Sequence, residues 1–293
     1  MKTISKYAPI IFVALWSTGF VGAKYIIPYA EPFVFLTLRY AFATAILVLL
    51  AKILREPLRI TRTETFQSIK VGLFLQVIYI GGVFYSVSHG VSAGVTSVIV
   101  SMQPIVVSIL GVRILNERLN LQKIVGLFLG FFGVFILLNP KIIEGVIDFQ
   151  FSAAGMTASF IALVGTTTGY LLQKKGGAEI PFLPGTAVQF ATATISFVIA
   201  AFLFEDLSVD FNLQFLAALS WFVLALSIGS IFLLFFLLRN ESASSVSSLY
   251  YLVPPLTALQ AYILFGEKIA PIGFLGLFFA VFGTILVTYK KAN

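Results

Sequence analysis

The chain has 293 residues, of which 59% are apolar and 11% are charged, and its mean hydropathy is +1.02. A soluble domain usually carries about 25% charged and 45–50% apolar residues, so this composition excludes a soluble globular protein and predicts an integral membrane protein. With no cysteine and one histidine, the sequence also excludes disulfides, zinc–thiolate sites, iron–sulfur clusters and multi-histidine metal sites.

Ten apolar runs, separated by charged residues, prolines and small polar clusters, predict ten membrane-spanning helices. Helices are expected because a water-free bilayer requires backbone groups to bond within their own segment. The connections between the runs are too short to hold a soluble catalytic domain. In chain order the runs cover 8–28, 32–52, 66–88, 91–113, 121–138, 153–173, 183–204, 213–238, 243–265 and 271–289.

The basic residues predict how the chain is oriented. Fifteen of the nineteen lie on alternate connections that include both termini, three lie on the opposite side, and Arg39 lies inside the second run. Because cytoplasmic connections carry the excess of lysine and arginine, both termini are expected in the cytoplasm. The net charge of +7 therefore indicates orientation in the membrane and not a nucleic-acid partner.

The two halves of the sequence align with a constant offset of 150 residues. Pro104 aligns with Pro254, Glu117 with Glu267, and GLF at 126–128 with GLF at 276–278. The alignment predicts two five-span units, residues 1–140 and 151–293. Because five is odd, the second unit enters the membrane from the opposite face, which gives an inverted-topology repeat suited to alternating access. The other interpretation is that duplication only makes a stable bundle.

The segments LNERLNLQKIVG at 115–126 and FGEKIAPIGFLG at 265–276 carry a family resemblance. Together with LWSTGF at 15–20, FLTLRYAFA at 35–43 and the mid-span proline of each fourth helix, they resemble the drug/metabolite transporter superfamily in its ten-span form with two EamA-type domains. This resemblance implies an exporter of amino acids or other small metabolites in the bacterial inner (plasma) membrane. Some relatives of that superfamily move sugar-phosphates or nucleotide-sugars.

Polar residues inside spans are costly, so each is a candidate for a substrate cavity. Runs 4 and 9 each place serines on one helical face beside a proline, Pro104 or Pro254, which is expected to break the helix and free a carbonyl group. Two interpretations stay open for these faces: they line a cavity, or their small residues let helices pack closely. The cavity candidates are Trp16, Ser17, Thr18, Gln76, Tyr79, Ser97, Ser101, Thr167, Ser244, Ser247 and Tyr251.

Arg39 is the one fixed charge inside a span and is similar to the arginine in the second span of that superfamily. It is either a clamp for a substrate carboxylate or a structural charge that bonds to carbonyl groups or to Glu267. Glu117 and Glu267 are interpreted as elements of the helix connections. His89, at the end of run 3, is interpreted as an interfacial residue.

No acidic residue lies in the middle third of a run, so no embedded carboxylate is expected to bind a coupling ion. The sequence therefore favours facilitated diffusion or exchange of neutral or zwitterionic solutes, aromatic amino acids among them. The alternatives are a nucleotide-sugar or organic-phosphate exchanger, a membrane scaffold or sensor, and an intramembrane lipid-modifying enzyme. An enzyme is disfavoured because no cluster of acid, base or nucleophile lies within the runs. We expect no cofactor or metal, and a monomer or homodimer in the lipid bilayer.

Overall fold

The computed structural model describes residues 2–91, 93–143, 152–177, 179–265 and 271–288. Apart from one β-bridge between Ala30 and Val209, these residues form helices and the connections between them. The helices are α1 (Lys2–Ile26), α2 (Pro32–Ile53), α3 (Arg62–Ser88), α4a (Ala93–Val100), α4b (Gln103–Ile114), α5 (Leu121–Ile143), α6 (Ala153–Gly177), α7 (Phe182–Phe204), α8 (Leu213–Asn240), α9a (Ala243–Ser248), α9b (Val253–Phe265) and α10 (Pro271–Thr288).

Eight helical stretches in the described part of the chain are long and apolar enough to cross a bilayer. A ninth, Leu121–Ile136 in α5, is apolar but shorter, and the stretch formed by α9a and α9b is interrupted. The predicted class, an all-helical membrane protein, is therefore confirmed. The count of ten crossings stays a prediction.

The surface of the bundle is suited to lipid. Ile10, Phe128, Phe202 and Phe274 are each more than 60% exposed. A soluble monomer rarely leaves contiguous apolar patches of this kind in water. In a bilayer the same side chains face hydrocarbon. The chain therefore folds without burying these apolar side chains in its own core.

Polar side chains fix where several helices begin. Thr61 and Glu64 form a capping box, in which the Thr61 hydroxyl accepts from the Glu64 N–H and the Glu64 carboxylate accepts from the Thr61 N–H. The side chains of Ser152, Asn212 and Ser242 cap α6, α8 and α9a in the same manner, each accepting from the N–H three residues later. These caps satisfy backbone groups that the first turn of a helix leaves unpaired.

The fourth and ninth helical stretches are both broken at their prolines. Helix α4a ends at Val100, two turn residues follow, and α4b starts with Pro104 in its first turn. Between α9a and α9b the chain forms a 3₁₀ turn over Leu249–Leu252, and Pro254 again lies in the first turn of the second piece. A proline has no N–H and its ring clashes with the carbonyl four residues back, so each of these prolines favours a break in the helix that precedes it.

Two other helices change their winding. Helix α3 is π-helical over Gly72–Gly81, and α8 is π-helical over Phe222–Ser230. Such wide turns are rare and are frequently found at functional sites. Both stretches contribute residues to the centre of the bundle.

Helices α5 and α10 pack closely along their glycine-bearing faces. A Cβ at Gly126 would lie 2.8 Å from the carbonyl oxygen of Gly283, and one at Gly133 would overlap the backbone of Ala280. The glycine face of α5 is therefore buried against α10 inside the bundle, and it is not free to form a dimer contact. Helices α2 and α7, and α3 and α6, form the other large helix pairs.

Candidate functional site

A small cavity lies between α1, α2, α3 and α8. Its walls are mostly aromatic and aliphatic, and Trp16, Arg39, Tyr79 and Ser230 contribute the polar atoms. The cavity has a volume of about 30 Å³. Since one water needs roughly 10–15 Å³ by the same measure, the cavity has room for about two waters. A larger solute binds there only if the lining helices move apart, so this conformation is a closed one.

An aromatic cluster adjoins the cavity. The Trp16 Nε1–H donates to the Tyr79 hydroxyl at 3.3 Å, and the two rings are stacked with centroids 6.4 Å apart. Tyr250 meets Trp16 edge-on at 5.7 Å, and Tyr170 meets Tyr250 edge-on at 6.3 Å. Phe12 completes the cluster at 5.1 Å from Trp16. Four separate helical stretches therefore meet through aromatic rings, which suit a solute with an apolar body.

Arg39 is 5% exposed and lies at the wall of this cavity. Its Nε–H donates to the Ser227 hydroxyl at 2.8 Å, and the guanidinium lies 5.0 Å from the Tyr40 ring centroid and 5.1 Å from that of Phe222. Within the described residues, neither a carbonyl nor a carboxylate pairs with it. Glu267, the partner considered from the sequence, lies outside the described residues.

Several buried polar atoms have no hydrogen-bond partner in the described part of the chain. A buried polar group without a partner costs about 1–3 kcal/mol, so these atoms are sites for water or for a polar solute. They include the hydroxyls of Ser108, Thr166, Thr167, Tyr170, Tyr250 and Tyr251, the amide nitrogen of Gln76 and both polar atoms of the Gln103 side chain.

The structure brings Trp16 and Tyr79 together at the cavity, and Gln76 lies one turn away from Tyr79 on α3. Gln76 is 1% exposed, and its side-chain oxygen accepts from the Tyr40 hydroxyl at 2.8 Å. Thr167 on α6 is buried with its hydroxyl unpaired. Trp16 and Tyr79 are therefore the sequence candidates at the cavity, and Gln76 and Thr167 are buried candidates with an unpaired polar atom.

The other two candidates of α1 face different neighbours. The Ser17 hydroxyl accepts from Gln260 of α9b at 2.8 Å. The Thr18 hydroxyl accepts from the Trp221 Nε1–H at 2.9 Å, and Trp221 is 47% exposed on the outside of the bundle. Both residues therefore join helices, and neither is part of the cavity lining.

The serine candidates of the broken helices are buried, and two of them bond to a carbonyl group three residues back. Ser101 donates to the Val98 carbonyl at 2.7 Å and Ser247 to the Ser244 carbonyl at 3.1 Å, while Ser97 is 3% exposed. These bonds fit the helix-packing interpretation of the serine faces. None of these serines lines the central cavity.

Tyr251 and Tyr250 face opposite sides of the 3₁₀ turn. Tyr251 packs against Gly130 of α5 and belongs to a separate apolar cluster with Leu127 and Ala280. Tyr250 instead joins the aromatic cluster beside Trp16. The tyrosine chosen from the sequence therefore lies at the α5–α10 interface, and its neighbour takes the central position.

At one end of the bundle, Glu117 joins the α4b–α5 connection to the start of α9a; we call this the Glu117 end. Its carboxylate accepts from the Ala243 N–H at 2.5 Å, from the Ser244 N–H at 3.2 Å and from the Ser244 hydroxyl at 2.7 Å. At the same end Lys174 donates to the Leu238 carbonyl and, at 2.6 Å, to the Glu241 carbonyl. A negative charge at a helix N-terminus is favourable because the first N–H groups have no partner in the helix. The two halves are therefore tied together here.

At the opposite end, Glu205 joins the α7–α8 connection to the start of α2; we call this the Glu205 end. Its carboxylate accepts from the Phe33 N–H at 2.8 Å and the Val34 N–H at 2.9 Å. Burial raises the pKa of Glu205, the two N–H bonds oppose this, and the nearby charge of Glu31 adds to it. His89 is exposed and stacks on Tyr85 with centroids 3.8 Å apart.

Sequence reasoning missed Ser227, Ser230 and Phe222 as central residues, and Glu205 as a cap. The 150-residue offset between the two halves could have indicated one of these residues. It aligns Ser230 with Ile80, and both line the cavity. No local pattern pointed to Ser227 or Glu205, because each acts through a contact more than 170 residues away in the chain. Among the described residues no cluster of histidine, aspartate or glutamate is able to hold a metal ion.

An all-helical membrane bundle with a small, largely apolar cavity between its helices is an architecture found in polytopic solute carriers. The sequence matches the EamA-like transporter family twice, over residues 7–139 and 153–289, and the chain belongs to that family. The resemblance noted in the sequence is thereby confirmed, with two copies of the EamA domain.

Individual relatives agree with this assignment. The chain is 27% identical to an uncharacterized transporter of Archaeoglobus fulgidus, covering 95% of this chain and 96% of that protein. It is 26% identical to the uncharacterized transporter YvbV of Bacillus subtilis (99% and 93% covered) and 22% identical to protein PecM of Dickeya dadantii (98% and 92% covered). A crystal structure of another protein superimposes with a TM-score of 0.78 over 98% of both chains at 17% identity, which shows a shared fold. The two relatives that are named transporters support a membrane transporter.

Proposed function

We propose that this protein exports small neutral or zwitterionic metabolites, such as amino acids and the aromatic ones among them, across the inner (plasma) membrane. Transport proceeds by alternating access through the cavity between α1, α2, α3 and α8. The observation that carries the proposal is this cavity itself: it is buried, it combines aromatic walls with one arginine, and it is too small for such a solute until the helices move.

The repetition of structural breaks supports an inverted repeat as the basis of alternating access. The π-helical stretch starts at residue 72 in α3 and at 222 in α8, which are 150 residues apart. Helices α2 and α7 start at residues 32 and 182, again 150 apart. Two units with equivalent breaks and opposite orientation can exchange conformations, so that one arrangement opens to each side of the membrane.

We place both termini and the Glu117 end in the cytoplasm. The connections at that end carry the excess of lysine and arginine, and the Glu205 end carries Glu205, Asp206 and Asp210. The positive-inside rule supports this orientation.

Transport is facilitative or by exchange in this proposal. Arg39 is the one charged side chain that is buried within the described residues. Proton- and cation-coupled carriers usually hold an embedded acidic residue, and the described core offers none. A multiply charged phosphate ester would meet a single counter-charge, so the exchange of nucleotide-sugars or organic phosphates is the less favoured alternative.

The test is uptake by proteoliposomes that contain the purified protein. A panel of labelled neutral amino acids is measured with and without an imposed pH gradient, beside a labelled sugar-phosphate. We expect saturable amino-acid uptake that persists without the gradient. Uptake of the sugar-phosphate alone, or uptake that requires the gradient, would contradict the substrate class or the coupling.

A further inference from the structure

Arg39 has more donor capacity than the protein uses. A guanidinium carries five N–H donors, and the described residues accept from one of them, the Nε–H bonded to Ser227. The two terminal nitrogens have no acceptor in the described part of the chain, and Arg39 borders the cavity. The free edge of the guanidinium is therefore available to whatever occupies that space.

Burying a guanidinium with unpaired N–H groups is unfavourable unless an anion binds to it. A charge removed from water loses hydration that only a counter-charge or several hydrogen bonds can replace. The rings of Tyr40 and Phe222, about 5 Å away, offset part of that loss by cation–π attraction. They also hold the guanidinium in place, so its two terminal nitrogens are preorganised for a planar bidentate acceptor.

The rest of the lining limits the size of the charge and the shape of the ligand. Phe20, Ile80, Val83, Phe84 and Leu226 form an apolar wall, and none of the described residues that border the cavity besides Arg39 is basic. A dianion would retain an uncompensated charge among these side chains, whereas a monocarboxylate would be neutralised by one guanidinium. The ammonium group of an amino acid would contact the Trp16 ring face and the hydroxyl oxygens of Tyr79 and Ser230, which border the same cavity. An apolar body attached to that carboxylate would lie against the aliphatic and aromatic wall.

We propose that Arg39 binds the carboxylate of the transported solute, and that the solutes are small monocarboxylates with an apolar body, apolar and aromatic amino acids included. This inference rests on the proposed transport function. Ser227 is the positioning residue, because it holds the guanidinium through Nε and leaves the terminal nitrogens free.

The test compares each carboxylate with its amide, which has the same body and no negative charge. L-phenylalanine and L-leucine are measured against L-phenylalaninamide and L-leucinamide, as competitors for uptake into proteoliposomes. Binding is followed separately by tryptophan fluorescence. The chain has two tryptophans, so Trp221→Phe leaves Trp16 at the cavity as the only reporter.

In the Trp221→Phe background we expect the carboxylates to bind at least 30-fold more tightly than the amides. Arg39→Gln should abolish that preference, because removing one partner of a buried charge pair costs at least about 2 kcal/mol, which corresponds to that factor. Arg59→Gln is the matched control, since Arg59 is exposed in the α2–α3 connection. It should leave the preference unchanged.

The outcomes separate the two levels of the proposal. If the unmodified protein transports none of these solutes, the proposed function fails. If it transports carboxylates and amides equally well, or if a folded Arg39→Gln protein keeps the preference, the role of Arg39 is refuted while transport stands. If Arg39→Gln does not fold, Arg39→Lys and Ser227→Ala replace it. An unchanged preference in both of these would equally overturn the inference.

Discussion

Replacing Glu117 with glutamine should loosen the Glu117 end of the bundle. The carboxylate accepts three hydrogen bonds from Ala243 and Ser244, at 2.5, 3.2 and 2.7 Å. A bond to a charged group contributes about 1.5–3 kcal/mol and a neutral one about 0.5–1.5. Glutamine has one acceptor oxygen, so the bonds that it keeps weaken by roughly 1 kcal/mol each and those to the other oxygen are lost. Because Glu117 is half-buried, we expect a total of about 1.5–3 kcal/mol. At 1.4 kcal/mol per factor of ten, that shifts the closed–open equilibrium by about 10- to 100-fold toward the open state.

Cysteine labelling can measure this shift without background, because the chain contains no cysteine. A single cysteine is introduced at Ser247, which is fully buried three residues beyond Ser244. A membrane-impermeant maleimide is added to inside-out vesicles, and the labelling rate is compared in the Glu117→Gln and unmodified backgrounds. The rate follows the fraction of open protein when opening is fast compared with labelling. We expect it to rise about 10- to 100-fold.

Glu56→Gln is the matched control, since Glu56 is exposed in the α2–α3 connection on the same side. It should leave the labelling of the introduced cysteine unchanged. Equal labelling rates in the Glu117→Gln and Glu56→Gln proteins would refute the reasoning. That result would mean that the Glu117 contact persists in every state of the transport cycle.

Two further predictions concern stability. Gly133→Ala should lower the melting temperature in detergent, because a Cβ there overlaps the backbone of Ala280 and forces α5 from α10, whereas Phe132→Leu on the exposed face should not. Glu205→Gln should flatten the pH dependence of the melting temperature in the window just above an ordinary glutamate pKa. The pKa of Glu205 is raised in the folded protein, so its contribution is present below the unfolded pKa and is lost as the pH rises through the folded one. The same flattening in Asp206→Asn would contradict this assignment.

The sequence predicted the class of fold and singled out three of the side chains that line the cavity, for identifiable reasons. Hydropathy alone separates lipid-facing helices from connections, and polar or aromatic residues within an apolar run stand out, as Trp16 and Tyr79 do. Arg39 stood out for the same reason, as the one charge inside a span. Its partner Ser227 did not, because serine is common in membrane helices and only the folded chain brings the two residues to 2.8 Å.

The direction in which a side chain points was less predictable where the backbone departs from an α-helix. The prediction that serines and a tyrosine share one face of the ninth run assumes 3.6 residues per turn. Residues Leu249–Leu252 instead form a 3₁₀ turn, which has three residues per turn. The tighter winding turns Tyr250 toward Trp16 and leaves Tyr251 against Gly130. The assumed period therefore did not anticipate that Tyr250, and not Tyr251, lies beside Trp16.

The π-helical stretches of α3 and α8 give these helices a second way to present their side chains. A π turn bonds to the fifth residue along the chain and an α turn to the fourth, so each wide turn stores one additional residue. Removing one such turn would rotate everything on one side of it by about 100° while each N–H still finds a carbonyl. Tyr79 and Leu226 would then give their places to adjacent residues. The side chains that line the cavity would therefore change through rotation of one part of a helix about its axis, and no loop would have to move.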